Sequence, residues 1–119
     1  MLPAAYRLRD GEGFRAATRR GDRMASRTLV AHLRLPDSSE SDTESRPLVG
    51  FVVGRQVGPA VVRNRVKRRL RHLLRPRLGV LPGGSSLVLR AKPAAGGASS
   101  IDLEADVDRL FLRFGLERL

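Results

Sequence analysis

The spacing of hydrophobic positions along the chain predicts three strands. From residue 27 to residue 35, apolar and more polar positions alternate, which is the period of a half-buried strand. The apolar side consists of Leu29, Ala31, Leu33 and Leu35, and the other side of Thr28, Val30, His32 and Arg34. Short continuous apolar runs at 48–53 and 87–89 predict two more strands that are more deeply buried.

Helical spacing and end signals predict a short first helix and a longer last one. Asp10 is a favourable N-cap, Phe14, Ala17 and Thr18 follow at helical spacing, and Gly21 suits the position after the helix. Ser99 or Ser100 caps the last helix, whose first turn carries acidic residues that the helix dipole favours. Its predicted core face consists of Leu103, Val107, Leu110, Phe111 and Phe114.

A third predicted helix is strongly basic. Pro59 suits its first turn, and Pro76 prevents a regular extension beyond Arg75. The stripe that would dock on a sheet consists of Val62, Val66, Leu70, Leu73 and Leu74. The residues left outside this stripe are Arg63, Asn64, Arg65, Lys67, Arg68, Arg69, Arg71, His72 and Arg75.

These elements occur in the order αββαβα, which predicts an α+β fold with a small, mostly antiparallel sheet packed against helices. The length of 119 residues suits one domain spanning 1–119. Residues 37–46 are polar and acidic, which predicts a flexible loop, and the Gly/Ala/Ser stretch 94–99 predicts a connector.

Charge narrows the class of partner. The chain has 23 basic and 12 acidic residues, a formal net charge of +11, and such a field favours a polyanion. The twelve basic residues between Arg46 and Lys92 are accompanied by no Asp or Glu. No Cys is present, which excludes disulfides and thiolate chemistry. Without a signal-peptide pattern or a long apolar window, we expect a soluble, cytoplasmic protein without membrane association.

The residues 63–77 contain eight Arg or Lys and predict an RNA-binding helix. Arg63, Lys67 and Arg71 form one row with steps of about 6 Å, close to the phosphate repeat of a nucleic acid strand. A solvated surface face and a membrane-surface helix are the alternatives. Asn64 could contact a base edge or a sugar hydroxyl, or it could cap local backbone.

The run from Gly50 to Arg71, GFVVGRQVGPAVVRNRVKRRLR, closely resembles the signature of the bacterial ribonuclease P protein family. The resemblance implies a subunit that binds one catalytic RNA and helps it remove the 5′ leader from precursor tRNA, with a broader substrate range and a lower magnesium requirement. The RNA would carry the active site and the Mg²⁺ ions, the protein no catalytic or metal-binding residue, and no obligate protein partner is expected. The implied element order is αβββαβα, with a left-handed βαβ crossover and a likeness to the second domain of a small-subunit ribosomal protein.

The resemblance also implies two sets of contact residues. The set for the RNA subunit is Arg55, Arg63, Asn64, Arg65, Lys67, Arg68 and Arg71. The set that lines a cleft for the single-stranded leader, between the first helix and the sheet, is Phe14, Thr18, Val30, His32, Arg34 and Lys92. Phe14 would stack on a leader base or simply anchor its helix, and His32 could make plain polar contacts. Thr18 and His32 depart from aromatic residues that the family often has there.

Two other functions remain open from the residues alone. A protein nuclease would need clustered carboxylates for metal ions or a pair of His residues. The candidate acids in the last helix are Asp102, Glu104, Asp106 and Asp108. The pattern at Asp102 and Asp106 is more typical of acids that stabilise a helix terminus than of a catalytic pair. A non-enzymatic RNA binder would fit the composition equally well, and only the signature run distinguishes it from a ribonuclease P subunit.

Overall fold

A computed structural model describes residues 2–8, 21–36 and 46–116 of the chain. The strands are β1 (Asp22–Ala25), β2 (Leu29–Arg34), β3 (Leu48–Val52) and β4 (Ser86–Ala91), and the helices are α1 (Ala60–Leu74) and α2 (Ser100–Arg113). The predicted first helix, with Phe14 and Thr18, lies outside the described residues. So does the predicted acidic loop except for Arg46.

The four strands form one sheet in the order β1-β2-β4-β3. β1 pairs antiparallel with β2, β2 antiparallel with β4, and β3 parallel with β4. The predicted mostly antiparallel sheet is therefore confirmed, and α1 makes the connection between the parallel strands; the left-handed sense of that connection stays a prediction. The order αββαβα was incomplete because it lacked β1, which the family order αβββαβα contains. β1 is short and polar at its start, so it carries no alternating hydrophobic pattern.

One face of the sheet carries the main core. The predicted docking stripe of α1 is confirmed, because Val66, Leu70, Leu73 and Leu74 are buried and Val62 packs against the core at its margin. The predicted core face of α2 is confirmed in the same way, with Phe114 partly buried. The sheet residues that meet these helices are Leu29, Ala31, Leu33, Val49, Leu87, Leu89 and Ala91. These contacts fix which side of each helix faces outward.

Two residues on the opposite side of β2 are also buried, which corrects the prediction of a half-buried strand there. Val30 and His32 are each only 7% exposed, and Leu35, predicted on the buried side, is 51% exposed beyond the end of the strand. Leu8 and Val88 form a second, smaller cluster on this side. Alternation therefore identified the two faces of β2 correctly but not the burial of the second one.

The basic helix starts and ends close to its predicted limits. Pro59 occupies the N-cap position, directly after Gly58, whose φ of 152° is strained for residues with a side chain. The α-helix ends at Leu74 and continues as a 3-10 turn, Arg75–Val80, that includes Pro76. This continuation turns the chain back toward α2.

Arg77 does not belong to the outward-facing basic residues with which the sequence groups it. Its side chain is buried, donating from Nε to the Asp108 carboxylate over 2.9 Å and from Nη1 to the Leu73 carbonyl. A third contact joins its Nη2 to the Glu104 carboxylate over 3.5 Å. Arg77 therefore connects the end of α1 to α2, and the sequence missed this because its acidic partners lie about 30 residues away.

The predicted connector 94–99 contains a 3-10 turn, Pro93–Gly97, with Ala95 fully buried. Gly96 packs so closely on the preceding 3-10 turn, Arg55–Val57, that a Cβ added to it would lie 2.2 Å from the Val57 carbonyl oxygen. Of the two predicted caps, Ser99 is the one that caps α2, and it forms a capping box with Asp102. The stretch is thus a structured part of the core.

Asp106 fixes α2 to the hairpin formed by β1 and β2. Its buried carboxylate accepts hydrogen bonds from the backbone N–H of Thr28, over 3.1 Å, and from the Thr28 hydroxyl. Burial by itself would raise the pKa of Asp106, but the bonds from Thr28 and Ser26 and the charge of Arg109 outweigh it and lower the pKa below its ordinary value. The sequence predicted that Asp102 and Asp106 both serve to stabilise the start of the helix. This prediction was therefore wrong for Asp106.

We predict that Asp106→Ala lowers the free energy of unfolding by about 1–3 kcal/mol at pH 7, because it leaves the two Thr28 donors without their acceptor. The folded-state pKa of Asp106 is depressed, so its stabilisation is present above its ordinary pKa of 3.8 and declines as the pH falls through the lower folded value. Urea unfolding at pH 7, 4 and 3 measures this. Asp106→Asn is the control, since it keeps an acceptor and cannot titrate. Equal stability of wild type and Asp106→Ala at pH 7 would contradict the assignment.

Candidate RNA-binding surface

The phase of α1 divides its polar residues into three rows. The outermost row consists of Asn64, Arg68 and His72, all exposed, and Arg75 follows at the end of the helix. Arg68 has no carboxylate within 4 Å among the residues that the structure describes, and Asn64 makes no described cap. This row confirms the outward orientation predicted for these residues and presents positive charge to solvent.

A second row faces α2 and holds the fold together. Arg65 donates from Nη2 to the Gly96 carbonyl over 3.1 Å, and Arg69 donates from Nη1 to the Ala98 carbonyl over 3.2 Å. Both side chains are half-buried. The prediction that all Arg residues outside the apolar stripe face solvent was therefore wrong for this row, because long guanidinium groups reach back to backbone acceptors.

The third row faces β3 and consists of the predicted i,i+4 residues Arg63, Lys67 and Arg71. All three are half-buried. Lys67 and Arg71 line a cavity of about 280 Å³ against Val49, Gly50 and Phe51. The Nε atom of Arg63 is buried and has no hydrogen-bond partner among the described residues. In contrast to the row facing α2, none of these side chains makes a described hydrogen bond to the fold.

A groove of about 440 Å³ separates the outer part of α1 from the start of α2. Its walls are formed by Arg68, Arg69, Arg71, His72, Leu73 and Ser100. The groove joins the basic surface of α1 to the N-terminal end of α2. An extended polyanion lying on the outer row would therefore pass over a surface with basic walls.

Arg55 lies in the exposed 3-10 turn that precedes α1. Buried Val57 anchors this turn to the core, and Gly58 allows the chain to enter α1 directly after it. The turn thereby holds Arg55 near the N-terminal end of the same basic surface. Six of the seven residues predicted to bind the RNA subunit thus remain available, and Arg65 is engaged with the Gly96 carbonyl.

The second face of the sheet gathers the described residues of the predicted leader cleft. Val30, His32 and Arg34 follow one another on one side of β2, as predicted. Arg23 of β1 is paired with His32, and Arg90 of β4 is paired with Val30, and both arginines are exposed. The sequence missed these two cations because only strand pairing places them beside the cleft residues. Lys92 donates from Nζ to the Ser26 carbonyl over 2.8 Å, so it also holds the β1–β2 turn.

His32 is neutral on this face at neutral pH. Burial, followed by the charges of Arg90 and Arg23, lowers its pKa below the ordinary value of 6.5. Its Nδ1 atom is buried and finds no hydrogen-bond partner within residues 2–8, 21–36 and 46–116. The neutral imidazole adds no charge to this face, and the neighbouring arginines provide its positive field.

The acids of α2 that the sequence offered for metal or acid–base chemistry are engaged in the fold. Asp102 belongs to the capping box, Asp106 binds Thr28, and Glu104 and Asp108 bind Arg77. Across residues 2–8, 21–36 and 46–116, no group of three or more His, Asp or Glu side chains could hold a metal ion. In the same ranges, no helix has the length and hydrophobicity needed to span a membrane.

Comparison with known proteins identifies the family. The family model described as Ribonuclease P matches residues 2–115. A ribonuclease P protein component of a Nocardioides species is 52% identical over 117 residues, covering 98% of this chain and 97% of the relative. The corresponding protein of Acidothermus cellulolyticus is also 52% identical, over 95% of this chain and 91% of its own.

Solved structures share the fold at low sequence identity. The ribonuclease P protein of Staphylococcus aureus superposes with a TM-score of 0.81 at 18% identity, covering 95% of this chain and 98% of that one. The protein of Thermotoga maritima, in complex with 1-(4-fluorophenyl)-2-thiourea, gives a TM-score of 0.73 at 23% identity, with 95% and 99% coverage. By sequence and fold together, the chain belongs to the ribonuclease P protein family.

Proposed function

We propose that this chain is the protein subunit of a ribonuclease P ribonucleoprotein and that α1 binds its catalytic RNA. The contacts come from the outer row and the row facing β3, together with Arg55. The observation that carries the proposal is the division of α1: within the described residues, one basic row is hydrogen-bonded to the fold and the other two are not. Cations left without acidic partners oppose folding slightly, and an RNA phosphate backbone would offset that cost.

In this proposal the RNA carries the active site, and the protein binds and positions. The described carboxylates support this role, since those of α2 are engaged in capping, in the Thr28 contact and in the Arg77 contact. The Mg²⁺ ions would be held mainly by the RNA. The protein would lower the magnesium requirement because its Arg and Lys residues neutralise phosphates that otherwise need counterions.

The second part of the proposal concerns precursor tRNA. The face of β2 with Val30, His32 and Arg34 would receive the single-stranded leader, and Phe14 would stack on one of its bases. Arg23 and Arg90 border this face and would contact leader phosphates. These contacts would be made to the phosphate backbone of the leader and to the faces of its bases. Because such contacts do not depend on the leader sequence, they would broaden the range of substrates.

The direct test is cleavage of precursor tRNA by a bacterial ribonuclease P RNA at low magnesium, with and without this protein. We expect the protein to stimulate cleavage and to bind the RNA with an affinity that falls steeply with salt. A protein nuclease would cleave without the RNA, and a general RNA binder would bind without stimulating cleavage. Either of those results would exclude the proposed role.

A matched pair within α1 tests the division of its surface. We predict that Arg68→Ala weakens RNA binding and reduces the salt dependence by about 0.7–0.9 units of slope, with unchanged stability. Arg69→Ala should instead lower the free energy of unfolding by about 1 kcal/mol, because the bond to the Ala98 carbonyl is lost, and should leave the slope unchanged. Binding at several salt concentrations and urea unfolding measure the two effects. Equal changes in slope for both variants would contradict the division.

A second pair tests the leader face. We predict that Arg90→Ala in the holoenzyme weakens binding of precursor tRNA about tenfold and leaves binding of mature tRNA unchanged, because only the precursor carries leader phosphates. Arg27→Ala is the control, since Arg27 is equally exposed but lies in the β1–β2 turn, outside this face. If Arg90→Ala weakened the binding of precursor tRNA and of mature tRNA equally, this face would not be the leader site.

A further inference from the structure

The N-terminal segment before residue 9 joins the free edge of the sheet. Arg7 forms a parallel bridge with Val49 of β3, and the backbone N–H of Leu8 donates to the Val49 carbonyl over 2.8 Å. Side chains of bridged partners point to the same side, so Arg7 follows Val49 toward α1. Leu8 points the other way and packs with Val88, Leu48 and Val52. At this bridge the segment therefore places Arg7 on the α1 side of the sheet and Leu8 on the other side.

On the side of α1, Arg7 completes a basic cavity. It lines the cavity of about 280 Å³ together with Lys67 and Arg71, and the remaining wall consists of Leu8, Val49, Gly50 and Phe51. None of the three cations has an acidic partner within 4 Å among the described residues. The cavity combines cations from two distant parts of the chain, which only the fold brings together.

Arg7 is held in position for a ligand. Its Nε donates to the Leu2 carbonyl over 3.1 Å, and Leu2 itself is buried in the main core. The two terminal nitrogens have no described hydrogen bond, so the end of the guanidinium fork is free to bind two oxygens of one anion. A guanidinium fixed through Nε loses less freedom on binding than a mobile one.

We propose that Arg7, Lys67 and Arg71 bind one phosphodiester group of the catalytic RNA. Charge favours an anion, and the small volume favours a group of phosphate size over a larger ligand. The cavity is continuous with the row of α1 facing β3 and lies on the opposite side of the sheet from the leader face. This placement favours the RNA subunit over the leader as the source of the phosphate. The inference rests on the proposed function and adds the N-terminal segment to its RNA-binding surface.

The test measures binding to the RNA subunit alone, at several salt concentrations, for Arg7→Ala, Lys67→Ala and the double variant. We expect each single variant to bind about tenfold more weakly and to lose about 0.7–0.9 units of salt slope, the loss of one phosphate contact. The double variant should lose no further slope, because both residues contact the same phosphate. Arg27→Ala, which removes an exposed charge elsewhere, should keep the wild-type slope.

Several results would overturn the inference. Wild-type affinity and slope in the folded single variants would exclude the cavity from the interface, and a slope loss twice as large in the double variant would mean two separate phosphates. A loss confined to precursor tRNA binding by the holoenzyme would assign the cavity to the substrate. Lys67→Ala removes no described hydrogen bond, so it decides the matter if Arg7→Ala fails to fold. If wild-type protein does not bind the RNA, the proposed function fails and this inference falls with it.

Discussion

The packing of the α1 stripe on the sheet is the interaction on which the functional surface depends. Val66, Leu70 and Leu74 are completely buried, so α1 cannot rotate without exposing several large side chains. Burying each such side chain contributes about 1.5–3 kcal/mol, which far exceeds the gain from any single exposed charge. The phase of the helix is thus set by its apolar residues, and the positions of its cations follow from that phase.

Because the orientation of α1 is fixed, its cations differ in what they contact. Arginines toward α2 reach backbone carbonyls and support the turn at Pro93–Gly97. Those outside and toward β3 have no acidic partner in the part of the chain that the structure describes. The acids of α2 reinforce this asymmetry, because Glu104 and Asp108 are paired with buried Arg77 and Asp106 with Thr28. Among the described residues, four of the five acids lie on α2, and positive charge accumulates on the surface of α1. Such an arrangement suits a protein that binds RNA through its backbone phosphates.

The sequence predicted those features that depend on local periodicity. The docking stripe of α1, the two faces of β2 and the capped start of α2 could all be derived from spacing and end signals. Features that depend on distant partners could not. Arg77 and Arg65 look like their neighbours in the sequence, yet their acceptors lie about 30 residues away, on α2 and at Gly96. The position of Arg7 beside Lys67 could not be predicted either, because it depends on the bridge to Val49.

We propose that the basic helix α1 has one side for the fold and another for RNA. Chemical modification of arginine, read by mass spectrometry in free protein and in the complex with ribonuclease P RNA, tests this most directly. We expect Arg68 and Arg71 to react in the free protein and to be protected by the RNA, whereas Arg69 reacts slowly in both because it is bonded to the Ala98 carbonyl. Unchanged reactivity of Arg68 on RNA binding, or fast reaction of Arg69 in the free protein followed by protection, would contradict it.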